Sequence, residues 1–524
     1  MESSRDFEQI VAEKDARIAE LEALVKFYEE QFRLSRHREF GASSEKGILS
    51  EQLMLFDEVE STADLSVAEP ELEQITYKRR KRTGKREDDL SGLPVEVVEH
   101  KLPEDKKVCP QCSGGLHEMG HDSRRELKII PAQVKVVEHK RAVYSCRNCE
   151  KNSDTGVPIV KADMPEALIK GSLASPSAVA HIMAQKYVMS APLYRQEQDF
   201  MRQGVYLSRQ TMANWVIRCS EDWLDPVYDR LKEKLLAREI LHADETVVQV
   251  LKEPGKAAQT DSFMWLYRTS GDTDKHIVLF EYQPSRATCH PERFLKGFKG
   301  KLHTDGYAVY HRLPEVTVVG CFVHMRRKFT DALKSIPVKD RPGSAAQEAI
   351  EKIGYLFHLE DKWENLAPKE RYKRRLKESK PLAENFFAWL ETQNFLPKVP
   401  MGKAIHYARE QYKWLMNVYL DGRLEISNNR AENAIRPFAV GRKNWLFCNT
   451  VKGADASAVV YSIIETAKAN GLKPFDYLKF LFETVPGTKT SELDSVLPWG
   501  DAVPEHCRMP IKAKENGNAE KECA

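Results

Sequence analysis

The stretch Leu302–Tyr310, LHTDGYAVY, places Asp305 where a short apolar run ends and a turn with a glycine begins. A single aspartate at such a position is most often a turn residue or a helix cap. Two distant carboxylates change this interpretation. Asp244 lies inside the β-branched run EILHADETVVQVL, where a carboxylate has low strand propensity and is costly to bury without a partner or a metal ion. Glu432 lies near the start of a predicted helix in SNNRAENAIRP, and the sequence therefore predicts a site made of three carboxylates.

The region 236–453 alternates strands and helices in the order of an α/β domain. Three hairpin-connected strands come first, a helix leads to the strand at Leu302, and VTVVGCFVHMRRKF adds a strand that runs into a basic helix. The predicted bounds are Ile240–Leu251, Phe263–Arg268 and His276–Tyr282 for the three strands and Pro291–Phe298 for the helix. This order resembles the ribonuclease-H-like fold, in which the first and fourth strands are neighbours. The pattern therefore predicts that Asp244 and Asp305 lie side by side.

A long charged segment separates the second aspartate from Glu432, and residues 328–425 are predicted to form an all-helical insertion. After the insertion, Ser427 or an adjacent asparagine can cap a helix on which Glu432 and Arg436 share one face. A surface ion pair between these two residues is the alternative to a catalytic glutamate. Glu425 is a competing carboxylate, but it precedes the predicted cap and is expected in the loop.

The first 90 residues contain two regions of different composition. Residues 1–42 carry an a/d heptad spacing interrupted by Lys14, which predicts a coiled coil and homo-oligomerisation; an amphipathic helix packed on its own chain is the alternative. The residues of the seam are Phe7, Val11, Lys14, Ile18, Leu21, Val25, Tyr28 and Phe32. Residues 43–90 are expected to be a disordered linker, because eight acidic residues without Lys or Arg in Glu51–Tyr77 precede seven basic residues in the ten of Tyr77–Arg86.

Residues 91–160 contain two CxxC pairs with 33 residues between them. The pairs are Cys109-Pro-Gln-Cys112 and Cys146-Arg-Asn-Cys149. Four thiolates from two turns can surround one Zn²⁺ tetrahedrally, and a small hairpin-rich module gains folding energy from the metal. The spacing suits a zinc ribbon, with redox-active dithiols and unliganded cysteines as alternatives. Four cysteines leave no open coordination position, so the predicted Zn²⁺ is structural.

Residues 161–235 are predicted to be helical and to contain a helix-turn-helix. PLYRQEQDFMRQG ends at Gly204, and SRQTMANWVIRCS opens on the potential cap Ser208. The second helix would offer four polar side chains to a DNA major groove. These are Arg209, Gln210, Thr211 and Asn214. A helical hairpin that never meets DNA is the alternative.

The C-terminal part and the composition complete the outline. Residues 454–499 contain two apolar helix-like segments and are predicted to form a helical module, followed by a polar tail at 500–524. No apolar run approaches the ~20 residues of a membrane span and the first residues are charged, which predicts a soluble cytoplasmic protein with no membrane partner. Four of the ten cysteines lie in CxxC pairs, as expected in a reducing compartment.

Several of these segments together resemble a known family. The strings HADET around Asp244, HTDGY around Asp305, GCFVHMRRKF, and NNRAENAIRPFAVGRKNWLF around Glu432 look like the DDE transposases of the bacterial insertion-sequence family sixty-six, TnpC type. The resemblance covers nearly the whole chain, from the N-terminal heptads to the C-terminal segment. The family often has a basic residue where this chain has Asn433, and HARRKF is more usual than HMRRKF; neither departure affects the three carboxylates.

The resemblance implies a multidomain transposase with Asp244, Asp305 and Glu432 as its catalytic residues. The chemistry of the residues agrees, because two Mg²⁺ (or Mn²⁺) ions about 4 Å apart can activate the attacking oxygen and stabilise the leaving oxygen of a phosphodiester. Such hard cations prefer oxygen ligands, which two aspartates and a glutamate supply. We expect Asp244 to bridge the metals, with Asp305 on one and Glu432 on the other. Hydrolysis at each transposon end would then be followed by attack of the 3′-OH on target DNA.

The expected partners are transposon-end and target DNA, a second copy of the chain, and companion proteins of the element. Arg436, Arg442 and Lys443 follow the glutamate and are expected to contact phosphates near the cut. Weaker candidates of the same type are His324, Arg326 and Arg327. Trp445 could stack on a base and His303 could orient water, with packing in the core as the alternative for each. Two other classes stay open: a domesticated DNA-binding protein without catalysis, and a nuclease of the same fold that cuts but does not join. Clustered negative charge argues against the pure binder, since DNA phosphates would have to approach it.

Overall fold

Segments rich in β-branched and aromatic residues build a central sheet in this computed structural model, which describes residues 97, 133–145 and 159–510. The longest strand has 13 residues, and its buried first half is mostly apolar. The described strands are β1 (Val143–Ser145), β2 (Ile159–Lys161), β3 (Ile240–Lys252), β4 (Asp261–Thr269), β5 (Val278–Gln283), β6 (Lys301–His303), β7 (Thr317–Val319) and β8 (Cys448–Thr450). A mixed α/β architecture, as predicted, is confirmed for this part of the chain.

The strand order of the main sheet is β5-β4-β3-β6-β7, and β8 pairs with the far end of β3. The hairpin strands β3, β4 and β5 are antiparallel, whereas β6 runs parallel to both β3 and β7. Leu241 of β3 stands opposite Leu302 of β6. The prediction that the first and fourth strands of the domain are neighbours is therefore confirmed. β1 and β2 form a separate antiparallel pair.

Helices precede, interrupt and follow the sheet. Those before it are α1 (Pro176–Tyr187), α2 (Leu193–Arg202), α3 (Arg209–Cys219) and α4 (Asp225–Leu236). Between β5 and the end of the insertion come α5 (Cys289–Phe294), α6 (Phe322–Lys334), α7 (Ala345–Lys362), α8 (Pro368–Arg374), α9 (Lys380–Thr392) and α10 (Pro400–Leu415). The last are α11 (Asn429–Trp445), α12 (Val451–Ala469) and α13 (Pro474–Thr484). None of these described helices has both the length and the apolar composition needed to cross a bilayer.

The predicted all-helical insertion is confirmed by α7 to α10, which occupy most of it. The helix predicted at Pro291–Phe298 is shorter than expected. It ends at Phe294, and the following turn contains Gly297 with φ +90°. A left-handed glycine close behind the last helical residue is a common helix stop, which explains the difference.

The described residues pack around two hydrophobic cores. One core joins the sheet to the helices before and after it, with Met183 in α1, Trp265 in β4 and Ile463 in α12 among its buried members. The other lies within the insertion, centred on α6, α7, α9 and α10, and reaches the sheet through Ile240 and Val319. The region predicted as a helix-turn-helix and the C-terminal helices therefore share one core with the sheet, and the insertion has its own.

The outer edge of β5 is covered by helix α12. The backbone N–H of Phe280 donates to Ser462 Oγ at 2.7 Å, and the N–H of Val278 donates to Thr466 Oγ1 at 3.0 Å. Thr466 Oγ1 in turn donates to the carbonyl oxygen of Val278 at 2.9 Å. An edge strand normally presents unpaired backbone groups, and here side-chain hydroxyls of a helix satisfy three of them.

The predicted coiled coil at 1–42, the linker at 43–90 and the four CxxC cysteines lie outside the described residues, so these remain sequence-based predictions.

Candidate active site

Asp244 and Asp305 occupy equivalent positions on neighbouring parallel strands. The last paired residues of β3 and β6 are His242 and His303. Asp244 stands two residues beyond the first, and Asp305 two residues beyond the second. Because side chains alternate along a strand, Asp244 keeps the face of His242, and both carboxylates lie at the carboxyl-terminal end of the parallel pair. The structure thus brings these two predicted residues together.

The turn after β6 fixes the orientation of Asp305. Its Oδ1 accepts a hydrogen bond from the backbone N–H of Tyr307 at 2.9 Å, as an Asx turn does. Gly306 lies inside this turn, and a Cβ added there would come 2.5 Å from the hydroxyl oxygen of Tyr407 in α10. A glycine is therefore required for the close approach of the insertion to the turn that carries the second aspartate.

Glu432 lies in the first turn of α11, a helix that packs against β3. Its side chain is 17 % exposed and lies near two basic residues of α6: Oε1 is 3.6 Å from His324 Nδ1, and Oε2 is 3.5 Å from Arg327. Arg436 does not come within the 4.0 Å of an ion pair with Glu432. The alternative of a surface ion pair along α11 is therefore wrong, and Glu432 instead faces α6.

Asp244, which we group with Asp305 and Glu432 as the carboxylate cluster, is affected by the charges of both. The pKa of Asp244 is raised well above its usual value, first by burial and then by the negative charges of Glu245, Asp305 and Glu432. Among the described residues, no basic nitrogen lies within 4.0 Å of a carboxylate oxygen of Asp244 or Asp305. Mutually repelling carboxylates without a cationic partner are a typical setting for a bound metal ion.

A fourth carboxylate, Glu245, is already satisfied by the protein. It pairs with Arg286 and accepts a hydrogen bond from the Tyr310 hydroxyl at 2.5 Å. Burial and Asp305 raise the pKa of Glu245, and these two partners oppose the shift. Arg286 also stacks over the ring of Tyr307 at 3.9 Å, so it links Glu245 to the turn of Asp305. The pairing of Glu245 with Arg286 joins two segments about 40 residues apart and was not predicted from the sequence.

Asn428 connects the helix that carries Glu432 to the strand that carries Asp244. Asn428 directly precedes α11, at one of the positions predicted to cap that helix. Its side chain makes no capping hydrogen bond. Instead Nδ2 donates to the Ala243 carbonyl at 2.9 Å, and Oδ1 lies 2.9 Å from His242 Nδ1. Its backbone N–H donates to Cys321 Sγ at 3.1 Å. The cap prediction is thus wrong for the side chain, because the buried strand offers it better partners than the helix end.

The histidines behind the two aspartates are packing residues. The rings of His242 and His303 stack at 4.3 Å, and burial lowers the pKa of His242 to about 3 and that of His303 well below its usual value. His303 Nε2 accepts a hydrogen bond from the N–H of Glu425. Glu425 lies in a loop, as predicted, and pairs with Arg430. Its charge is therefore neutralised outside the carboxylate cluster.

A second set of metal-binding atoms adjoins the cluster at Glu432. Cys321 Sγ, a ring nitrogen of His324 and a carboxylate oxygen of Glu432 lie within 4.8 Å of one another. From the sequence, His324 was predicted only as a weaker phosphate contact, and Cys321 was not predicted to bind anything. The signal available was their spacing: two residues separate them at a predicted helix start, which places both side chains on the first turn.

The donor sets differ in chemistry. Asp244 and Asp305 offer oxygen atoms, which suit Mg²⁺ or Mn²⁺. The lack of a cationic partner for either aspartate among the described residues fits that class of ion. The second set mixes sulfur, nitrogen and oxygen, which suits a softer cation.

The predicted DNA-reading helix α3 lies on the surface with a buried inner face. Ser208 caps it, accepting from the N–H of Thr211 at 3.1 Å, and the turn before it contains Gly204 with φ +80°. Arg209, Gln210 and Asn214 are exposed, whereas Thr211 is half-buried and its hydroxyl lies 2.9 Å from Ser208 Oγ. Two helices joined by a glycine-containing turn lie where the helix-turn-helix is predicted, and three of the four predicted contact residues are exposed.

The basic residues after Glu432 differ in their surroundings. Arg442 donates to Thr246 Oγ1 at 3.3 Å and to the Val247 carbonyl, both on β3, and burial lowers its pKa. Arg436 and Lys443 are half-buried on the same helix. Trp445 is half-buried and packs edge-on against the core residue Phe438, with ring centroids 5.4 Å apart.

Comparison with known proteins identifies the family. The family model described as "Transposase IS66 family" matches residues 171–456, more than half of the chain. Three further family models match other parts of the chain. They are the "zinc-finger binding domain of transposase IS66" at 106–150, the "IS66 C-terminal element" at 462–499 and "Transposase C of IS166 homeodomain" at 28–98. The chain is thus a transposase-type protein with a zinc-finger module that includes all four CxxC cysteines. It belongs to the Transposase IS66 family.

Two relatives come from Sinorhizobium fredii. The protein y4qI is 30% identical over 466 residues, which is 85% of this chain and 82% of that protein. The protein y4jD is 29% identical over 433 residues, covering 78% of this chain and 82% of the relative. The similarity therefore extends well beyond residues 171–456, which the family model matches.

Proposed function

We propose that this chain is a metal-dependent DDE transposase that cuts transposon ends by hydrolysis and joins their 3′-OH groups to target DNA. Membership of the family supports the transposase role. The observation that carries the mechanism is the equivalent placement of Asp244 and Asp305 beyond the paired ends of β3 and β6. Glu432 on α11 lies near enough for its charge to raise the pKa of Asp244. The strand order, with an antiparallel hairpin joined to parallel strands, supports a ribonuclease-H-like core.

Asp244, Asp305 and Glu432 would hold two Mg²⁺ or Mn²⁺ ions. When bound, such ions polarise the phosphodiester and stabilise both its attacking and its leaving oxygen. The chain's own part is to hold the carboxylates in place: Tyr307 N–H orients Asp305, and Asn428 ties the Glu432 helix to the Asp244 strand. Glu245 does not compete for metal in this arrangement, because Arg286 and Tyr310 engage it.

DNA would be bound by separate surfaces of the chain. Arg209, Gln210 and Asn214 on α3 would contact the transposon end, with Thr211 a weaker contact because its hydroxyl faces Ser208. Arg436, Arg442 and Lys443 on α11 would contact phosphates near the cut. The predicted zinc module, the heptads at 1–42 and companion proteins would contribute to assembly of two transposon ends, which cutting and joining both require.

The test is a reaction of purified full-length chain with labelled transposon-end DNA, target plasmid and Mg²⁺. Joined products support the transposase, cuts without joining favour the nuclease, and end binding without either favours the domesticated binder. Asp305→Asn should abolish cutting and joining while end binding persists. Asp331→Asn, an exposed aspartate on α6, is the matched control and should leave all three unchanged. If Asp305→Asn cuts as fast as the wild type, the assignment of the carboxylates is wrong.

A further inference from the structure

Helix α6 begins beside Glu432 with two side chains that can bind metal. Cys321 is the residue before the helix, and His324 lies in its first turn. Their side chains share one side of that turn, so a cysteine and a histidine with two residues between them can bind one ion together. Glu432, at the corresponding first turn of α11, faces both of them.

The three possible ligand atoms lie close together, and one of their separations matches that of a zinc site. The sulfur, the ring nitrogen and the carboxylate oxygen lie within 4.8 Å of one another, and His324 Nδ1 is 3.6 Å from Glu432 Oε1. In a tetrahedral zinc site with bonds of about 2.0–2.3 Å, the ligand atoms are roughly 3.3–3.7 Å apart. The His–Glu separation already has this value, which is too long for a good hydrogen bond.

Two of the three atoms have no partner in the protein. Glu432 Oε1 and His324 Nδ1 are buried, and neither makes a hydrogen bond. Buried polar atoms left without a partner cost about 1–3 kcal/mol each, so a pair of them facing each other indicates a missing group. Arg327 lies at the other carboxylate oxygen, Oε2, and leaves Oε1 free to bind an ion.

The sulfur is buried and receives a hydrogen bond from the backbone. Cys321 is 3 % exposed. The N–H of Asn428 donates to Sγ at 3.1 Å, and such a donor stabilises a thiolate. A thiolate and a carboxylate together would balance the charge of a divalent ion.

We propose that Cys321, His324 and Glu432 form a binding site for a thiophilic divalent cation of the Zn²⁺ or Co²⁺ class, distinct from the predicted four-cysteine zinc site. Three protein ligands leave a fourth position open to water or to an oxygen of DNA. The sulfur and nitrogen donors select against Mg²⁺, which prefers oxygen. The observations behind this site do not depend on the proposed reaction, but the two proposals share Glu432 as a ligand.

The test is a titration of the full-length chain with Co²⁺, monitored by the thiolate-to-cobalt charge-transfer absorption. The quantity compared is the difference between the spectra of the wild type and of Cys321→Ser. The four CxxC thiolates are common to both proteins and cancel in this difference. We expect one equivalent of Co²⁺ with the absorption of a single thiolate in the difference spectrum, unaffected by excess Mg²⁺. His324→Asn should keep the thiolate absorption but weaken Co²⁺ binding on the order of tenfold or more, since changes outside the ligand shell alone cost about 10–100-fold.

Controls separate this proposal from the proposed function and from misfolding. Cys448→Ser replaces another buried cysteine that lies outside the site and should keep the full cobalt signal. Asp305→Asn should also keep it while losing DNA cutting. Identical titrations of wild type and Cys321→Ser, or unaltered affinity in a folded His324→Asn protein, would overturn the site. An inactive wild type with an intact cobalt signal would instead count against the transposition chemistry alone.

Discussion

Replacing Asn428 by alanine should loosen the contact between the Asp244 strand and the Glu432 helix. The side chain is 1 % exposed and makes two hydrogen bonds, to the Ala243 carbonyl and to His242 Nδ1. His242 is neutral at physiological pH and must donate from Nδ1 to the amide oxygen, so the substitution leaves a buried N–H without a partner. That loss costs about 1–3 kcal/mol, and the second hydrogen bond adds about 1 kcal/mol.

The expected loss of unfolding free energy is therefore about 2–4 kcal/mol. Urea unfolding followed by tryptophan fluorescence measures it, with the exposed Asn433→Ala on the same helix as the control. Under the proposed function, DNA cutting at saturating Mg²⁺ should also slow on the order of 100-fold, because a shift of about 1 Å in a catalytic group has that effect. An Asn428→Ala protein as stable and as active as Asn433→Ala would refute the reasoning.

Three further predictions concern the residues around the sheet and the site. Thr466→Val keeps the side-chain shape but removes the hydroxyl that bonds to the Val278 backbone, and it should lower the unfolding free energy by roughly 2–4 kcal/mol in urea melts. Thr466→Ser keeps the hydroxyl and should lower it by only about 1 kcal/mol. The pKa of His242 in the fold is about 3, below the ordinary 6.5, so neutral His242 stabilises the fold fully above pH 6.5, and this stabilisation is lost as the pH falls toward 3. By pH 5 the loss of unfolding free energy is about 2 kcal/mol. In a folded His242→Gln protein, the urea midpoint should therefore depend less on pH. Gly306→Ala should reduce DNA cutting at least about tenfold, because the new Cβ would meet the Tyr407 hydroxyl. Partial recovery of cutting in the double variant Gly306→Ala with Tyr407→Phe would identify that clash as the cause. Unchanged cutting by the single variant would disprove the prediction.

The strands that carry Asp244 and Asp305 could be predicted from local signals: alternating apolar residues, polar turns and a glycine after a short apolar run. That the first and fourth strands are neighbours followed from the resemblance of their order to the ribonuclease-H-like fold. The pairing of the first and fourth strands then places the two aspartates together whatever the details of packing. Glu432 was also identified, because a helix start after a long helical segment is visible in the sequence.

The partners of these carboxylates could not be predicted in the same way. Asn428 was expected to cap its own helix, a local rule, but it bonds to His242 and Ala243, which lie about 185 residues earlier. Glu432 was weighed against Arg436 four residues on, and it faces His324 and Arg327 of another helix. Local spacing describes one helix, whereas these choices depend on which helix packs opposite.

The hydroxyls of α12 that complete the edge of β5 have a consequence for synthesis of the chain. Ser462 lies 182 residues after Phe280, the strand residue that it serves. At about 5–20 residues per second, the ribosome takes roughly 10–40 s to make that interval. During this time the nascent chain already contains both aspartates but has an open strand edge. The finished sheet, and any DNA chemistry that depends on it, must therefore wait until α12 has left the ribosome.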